Sequence, residues 1–133
     1  MAFSQEMSLL QQELEQMDFA VFTPEITEND AISSDTSHTF NELTHLKNGF
    51  IDTHVEKIRR SDAILVANYT KHDIVGYVGA NAFLEIGFAY VFRKKIFLLH
   101  ELPEQPNKLE IAGMFPKIIH GNLHIISEHF IRG

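Results

Sequence analysis

Two uninterrupted apolar runs of strand length constrain this chain more than any other feature: Ala63-Ile64-Leu65-Val66-Ala67 and Ile96-Phe97-Leu98-Leu99. A strand with one wet face alternates apolar and polar residues. Continuous apolarity marks a strand covered on both faces, as in parallel sheets packed between helices. Between the runs lie a loop, Asn68 to Gly79, and a segment from about Ala80 to Phe92 with helical length. Strand, crossover helix and strand form the unit that parallel pairing requires.

The flanking segments extend the alternation. Phe3, Met7, Leu10, Leu14 and Met17 recur at steps of four and three, one face of a helix that should end near Asp18. Phe19-Ala20-Val21-Phe22, closed by Thr23-Pro24, reads as a short strand, and the polar residues 25–38 as a loop. A second amphipathic helix is predicted from Thr39 to Arg60, with Phe40, Leu43, Phe50, Ile51, Val55 and Ile58 on its apolar side. Arg59 and Arg60 suit the negative end of its dipole. Beyond the second run, a short helix is expected around Lys108–Met114, a strand at Lys117–His120 and a last helix near the end. The whole predicts one α/β domain over residues 1–133, a parallel sheet with helices on both faces.

The 133 residues, 44% hydrophobic and 22% charged, have a globular rather than a disordered composition. Absence of cysteine excludes disulfide scaffolds, thiolate metal sites and a cysteine nucleophile, and suits a reducing compartment. Residues 1–56 carry eleven acidic side chains against Lys47 alone, whereas residues 57–133 carry ten basic and seven acidic ones, giving −7 overall. Nonspecific nucleic-acid binding needs a basic face, so no nucleic-acid partner is expected. The start lacks the basic and apolar regions of a leader. Ile74–Phe92 holds one charge, Glu85, but its glycines and Asn81 read as loop plus buried helix rather than a membrane span. A soluble, cytoplasmic protein is expected.

In open α/β sheets, ligands bind beyond the carboxyl ends of the strands. The loop after the first run is the richest candidate: Asn68-Tyr69-Thr70-Lys71-His72-Asp73-Ile74-Val75-Gly76-Tyr77-Val78-Gly79. Gly76 and Gly79 are expected to allow positive φ and close backbone approach, and Asn81 to cap the helix that follows. That helix is apolar all round except for Glu85, placed near its first turn. A carboxylate in a buried helix is costly unless its charge is stabilised. Glu85 is therefore either structural, bonded to nearby N–H groups or an arginine, or functional, aimed into a ligand pocket to face a developing cation.

The run SDAILVANYTKHDIVGYVGANAFLEIGFAYVFRKKIFLL resembles the nucleoside 2-deoxyribosyltransferase-like family, with Gly79, Glu85, Ile86, Gly87 and Ala89 at the positions of its G-x-x-x-x-x-E-[LIM]-G-x-A helix. Ala112-Gly113-Met114-Phe115-Pro116 and Met1-Ala2-Phe3-Ser4-Gln5-Glu6-Met7 also look like family segments. The resemblance implies a flavodoxin-like parallel sheet and a homodimer or larger assembly. It also implies a glutamate nucleophile attacking C1′ of a deoxyribonucleoside or its 5′-monophosphate, through a covalent glutamyl-sugar intermediate resolved by a second base or by water. Glu85 matches that nucleophile. The family's second carboxylate, eight residues before the strand-opening aspartate (here Asp62), corresponds to His54, an acid/base candidate. Where the family carries aspartate or serine, this chain has Gly79. Lys71, His72, Asp73 and Tyr77 lengthen the loop. The family's first strand and the loop after it have no counterpart ahead of Met1. The expectation is a sheet lacking its first strand between residues 19–22 and 63–67, with open edges that favour oligomerisation.

The candidate site is thus Glu85 and His54 as catalytic residues, with Asn81, Tyr77, Gly79, Asn68 and Asp62 binding substrate. Tyr77, Phe83 and Phe88 are the aromatics available to stack on a base. No cofactor is expected, and no metal, since the eight histidines lack ligand spacing; His120 and His124 are separated by a helix-breaking Gly121-Asn122. Phosphate-loop, dinucleotide and nucleophile-elbow motifs are lacking. The rival expectations are a non-catalytic nucleotide or nucleotide-sugar binding module on the same fold, and a homo-oligomeric scaffold in which Glu85 is structural.

Overall fold

The computed structural model describes residues 4–21 and 39–132. Its elements are α1 (Ser4–Gln16), α2 (Phe40–Arg60), β1 (Ala63–Val66), α3 (Ala80–Val91), β2 (Lys95–Leu98), α4 (Lys108–Gly113), β3 (Lys117–Ile118) and α5 (His124–Arg132). The chain divides into two compact units, Met1–Lys57 and Ile58–Gly133. The predicted loop at 25–38 lies outside the described residues, as do Phe3 and Phe22.

In the first unit, Leu14 is buried and Met7, Leu10 and Met17 are half-buried, the stripe that the spacing of α1 predicts. The helix ends where Asp18 turns left-handed at φ 68°. The Asp18 N–H then bonds to the Glu15 carbonyl and the Phe19 N–H to the Leu14 carbonyl, at 3.0 and 3.2 Å, a Schellman closure. This corrects the strand expected at 19–22 as far as it is described. Residues 19–21 form no strand, because the first of their amides is spent on the helix end rather than on a ladder.

Thr39 caps the amino end of α2 with its side chain. Its hydroxyl accepts the Glu42 N–H at 3.1 Å and donates to the Glu42 carboxylate at 3.2 Å. Leu43, Phe50, Ile51 and Val55 are half-buried along the predicted stripe. Phe40 is exposed, for it stands at the helix start, ahead of the first full turn of that stripe.

The second unit begins with the last turn of α2 and contains a parallel three-stranded sheet in the order β1-β2-β3. β1 meets β2 with Ala63 beside Lys95 and Val66 beside Leu98, and β2 meets β3 with Phe97 beside Lys117. Successive side chains on a strand point to opposite faces. One face therefore gathers Val66, Ile96 and Leu98 with Ile58, Val78, Ile111 and the Ile86 and Ala89 of α3, all buried in one cluster. The other face presents Phe97, which meets His129 of α5 edge-on at 5.8 Å between ring centroids. Continuous apolarity is explained by this position: Ile96, Phe97 and Leu98 occupy the middle strand and are at most 3% exposed. The predicted strand at 117–120 is shorter, Lys117–Ile118. The Ile119 N–H still reaches the Leu98 carbonyl at 2.9 Å before His120 turns left-handed at φ 49°.

The prediction that α3 is buried all round is corrected. Ile86 and Ala89 are fully buried, but Leu84, Tyr90 and Val91 are 41%, 52% and 73% exposed. The helix covers the sheet with one stripe, and its apolar outer residues face away from that stripe. No helix among the described residues is long and apolar enough to cross a membrane.

Candidate functional site

At the carboxyl ends of β1 and β2, two side-chain amides tie the loops together. Asn68 is 1% exposed. Its Nδ2 donates to the carbonyls of Gly76, His100 and Glu101 at 3.2, 3.0 and 3.1 Å, and its Oδ1 accepts the His100 N–H at 2.8 Å. Gly76 sits at φ +71°, where a Cβ would lie 2.1 Å from the Glu101 carbonyl oxygen. Left-handed backbone and close approach together require glycine. Farther along, Gln105 pairs with the Val78 backbone much as a strand would. Its Oε1 accepts the Val78 N–H and its Nε2 donates to the Val78 carbonyl, both at 3.0 Å, while Nε2 also reaches Asn107 Oδ1 at 2.6 Å.

Between these clamps the loop makes its own turn. Lys71 and Ile74 exchange backbone hydrogen bonds of 3.2 and 2.9 Å around His72 and Asp73, whose φ angles of 53° and 60° fit a type I′ hairpin. Tyr77 meets His72 edge-on at 5.2 Å, and Tyr69 tilts against His100 at 5.6 Å. The segment leading into α3 is thus held at both ends, which fixes where the helix starts. Replacing Gln105 with alanine should cost about 1–2 kcal/mol, the net worth of its two Val78 bonds. It should also speed hydrogen exchange of the Val78 amide selectively. An unchanged Val78 exchange rate would mean the clamp does not hold in solution.

Three expectations about α3 are corrected here. Its N-cap is Gly79, extended at φ −74° and ψ 173°, with no side-chain hydrogen bond. Asn81 lies one position past the first helical residue and does not cap it. Gly79 needs no glycine freedom either, since a Cβ there would make only an ordinary 3.6 Å contact with Tyr77. Glu85 lies in the second turn, not the first, where the pull of the helix dipole has already decayed.

Glu85 and Asn81 are half-buried and four residues apart, so they share one side of α3 beside the stripe that enters the core. Tyr77 and Gly79 belong to the clamped segment just before them, and Asn68 is the residue that clamps it. Asp62 is exposed and precedes β1, so the strand itself, roughly 13 Å for four extended residues, separates it from the Asn68 end. His54 is half-buried on α2, in the first unit. Among the described residues, no three His, Asp or Glu side chains group as metal ligands would.

The sequence did not point to Gln105 or His100. The continuous run through Leu99 places His100 at a strand's carboxyl end, and that was the available signal for it. For Gln105, between Pro103 and Pro106, no local pattern marks the pairing. No known protein family, no curated protein and no solved structure matches the chain.

Proposed function

We propose that the second unit binds a nucleoside or nucleotide at the carboxyl ends of its strands, and that Glu85 attacks C1′ of a deoxyribonucleoside or its 5′-monophosphate. The observation that carries this reading is a half-buried carboxylate on α3 directly after a loop clamped by Asn68 and Gln105. A nucleophile must be held near its target by elements that do not yield, and a clamped loop-to-helix junction meets that need. In the reaction, a Glu85 oxygen forms a bond to C1′ as the C1′–N bond breaks. The bonding pair leaves with the base nitrogen, which takes a proton. Water or a second base then attacks C1′ and releases the Glu85 carboxylate.

The three parallel strands and the order β1-β2-β3 support a flavodoxin-like arrangement. Among the described residues β1 has β2 alone as a neighbour, which supports a further strand or a second copy of the chain against its open side. The bare N-cap at Gly79, where the resembling family carries aspartate or serine, favours a second reading: a non-catalytic nucleotide-binding module.

The test is incubation of the full chain with deoxyinosine plus adenine, and separately with deoxynucleoside monophosphates, while free base is followed. Thermal shift against a nucleotide panel runs in parallel. Base release supports the enzyme, and stabilisation without release supports the module. Neither effect would end both readings.

A further inference from the structure

We propose that two copies of the chain pair reciprocally, the acidic outer face of α1 in each docking on a basic rim at the amino ends of the other's strands. Parallel strands all start at one end of a sheet, so the topology collects the connections from α2, α3 and α4 there. Those connections and the residues beside them hold Arg59, Arg60, Arg93, Lys94, Lys95 and Lys117. The carboxylates at this end are Asp62 and, on α5 beside Lys95 and Lys117, Glu128. Val91 and Phe115, both exposed, stand two residues before Arg93 and Lys117. Backbone strain marks the same rim. Among the described residues other than glycine, positive φ occurs at Asp18, His72, Asp73 and His120, types that tolerate it, and at Arg93 (φ 58°) and Phe115 (φ 54°). These last two follow the C-caps of α3 and α4, where glycine is the unstrained choice. A cation and an aromatic kept there at a conformational cost point to a use outside the turn.

The chain carries the matching surface itself. Residues 1–56 hold eleven acidic side chains against Lys47 alone. On α1, Glu6, Leu9 and Glu13 follow at steps of three and four, so one face sets an apolar side chain between two carboxylates, and all three are exposed. Among the described residues no ion pair involves Glu6, Glu13, Arg93, Lys94 or Lys117. In the proposed contact these acids meet these cations, and Leu9 meets Val91 or Phe115. A two-fold axis repeats the contact, because each copy offers both surfaces. Exposed ion pairs contribute little apiece, so the dimer is weak and sensitive to salt. The rim is at the opposite end of the strands from Asn68, so its fate is independent of the role given to Glu85.

Sedimentation velocity of the full chain tests this. A dimer is expected in dilute salt, with its dissociation constant raised at least about tenfold between ~0.01 M and ~1 M sodium chloride. The Glu6→Lys/Glu13→Lys and Arg93→Glu/Lys117→Glu variants should each dimerise at least about a hundredfold more weakly, since each sets like charges together in both contacts. Their circular dichroism should match wild type, because all four residues are exposed. Mixed in equal amounts, the two variants should form a one-to-one dimer, in which one contact is wild type and the other has both signs reversed. A wild-type chain that stays monomeric in dilute salt, or a mixture that fails to associate, overturns the proposal. Variants that dimerise as well as wild type also overturn it, and place the contact elsewhere, such as the open side of β1.

Discussion

Gly76→Ala should lower the stability of the second unit by about 3 kcal/mol or more, while Gly79→Ala, three residues later, changes it by less than about 1 kcal/mol. The left-handed backbone at Gly76 alone costs an alanine roughly 1–2 kcal/mol. The added methyl would stand 2.1 Å from the Glu101 carbonyl oxygen and 3.2 Å from Asn68 Nδ2, so the 100–101 backbone or the Asn68 amide must move. Either shift strains the bonds of Asn68, whose two N–H donors are shared among three carbonyls and whose Oδ1 accepts one N–H, each donor or acceptor worth about 0.5–1.5 kcal/mol net. The amide is buried, so a partner lost there is not replaced by water. For a unit of this size, 3 kcal/mol corresponds to a fall in Tm of more than about 10 °C. Thermal and urea unfolding of both variants would measure the difference. Equal stabilities would show that the Glu101 carbonyl does not close over Gly76.

That contrast between two glycines illustrates how far the sequence could be read. Both lie in a loop after a strand and before a helix, and nothing local distinguishes them. What separates them is a left-handed backbone at Gly76 and a carbonyl 25 residues downstream, and contacts at that separation leave no mark on local pattern. The strands and helices were legible because periodicity records burial directly, and the β2 run Ile96-Phe97-Leu98 lies in the middle of the sheet as its continuity predicts. Residues 19–21 have the same apolar look. There the Phe19 amide is taken by the end of α1, and a strand exists only where a neighbour accepts its ladder. The α3 composition misled for a related reason: apolar residues all round predict burial all round, yet in the described chain Leu84, Tyr90 and Val91 remain exposed. Of the site, the choice of loop and of Glu85 came from chain order and from one conspicuous charge. The amide clamps that give the loop its shape join residues 27–33 positions apart, which local pattern does not record.

Glu85→Gln should abolish base release by at least about a thousandfold, close to 4 kcal/mol of barrier, while leaving the melting temperature within a few degrees of wild type. The amide keeps the size and most of the hydrogen-bonding shape of the carboxylate but has no anionic oxygen to form the glycosyl ester. A half-buried position in the second turn of α3 makes the stability cost small, since a partly solvated carboxylate neither carries a full burial penalty nor repays one when neutralised. Nucleotide-induced thermal stabilisation should survive the change, because the proposed binding would draw on the loop between β1 and α3 as well as on this one group. Each departure from the pattern has a distinct meaning. Retained base release with lost stability would make Glu85 a structural carboxylate. Retained binding in a wild-type protein that never releases base would leave the loop between β1 and α3 as a recognition element alone. Loss of turnover with binding and stability intact isolates the missing charge as the cause, whether that carboxylate attacks the sugar carbon or moves a proton.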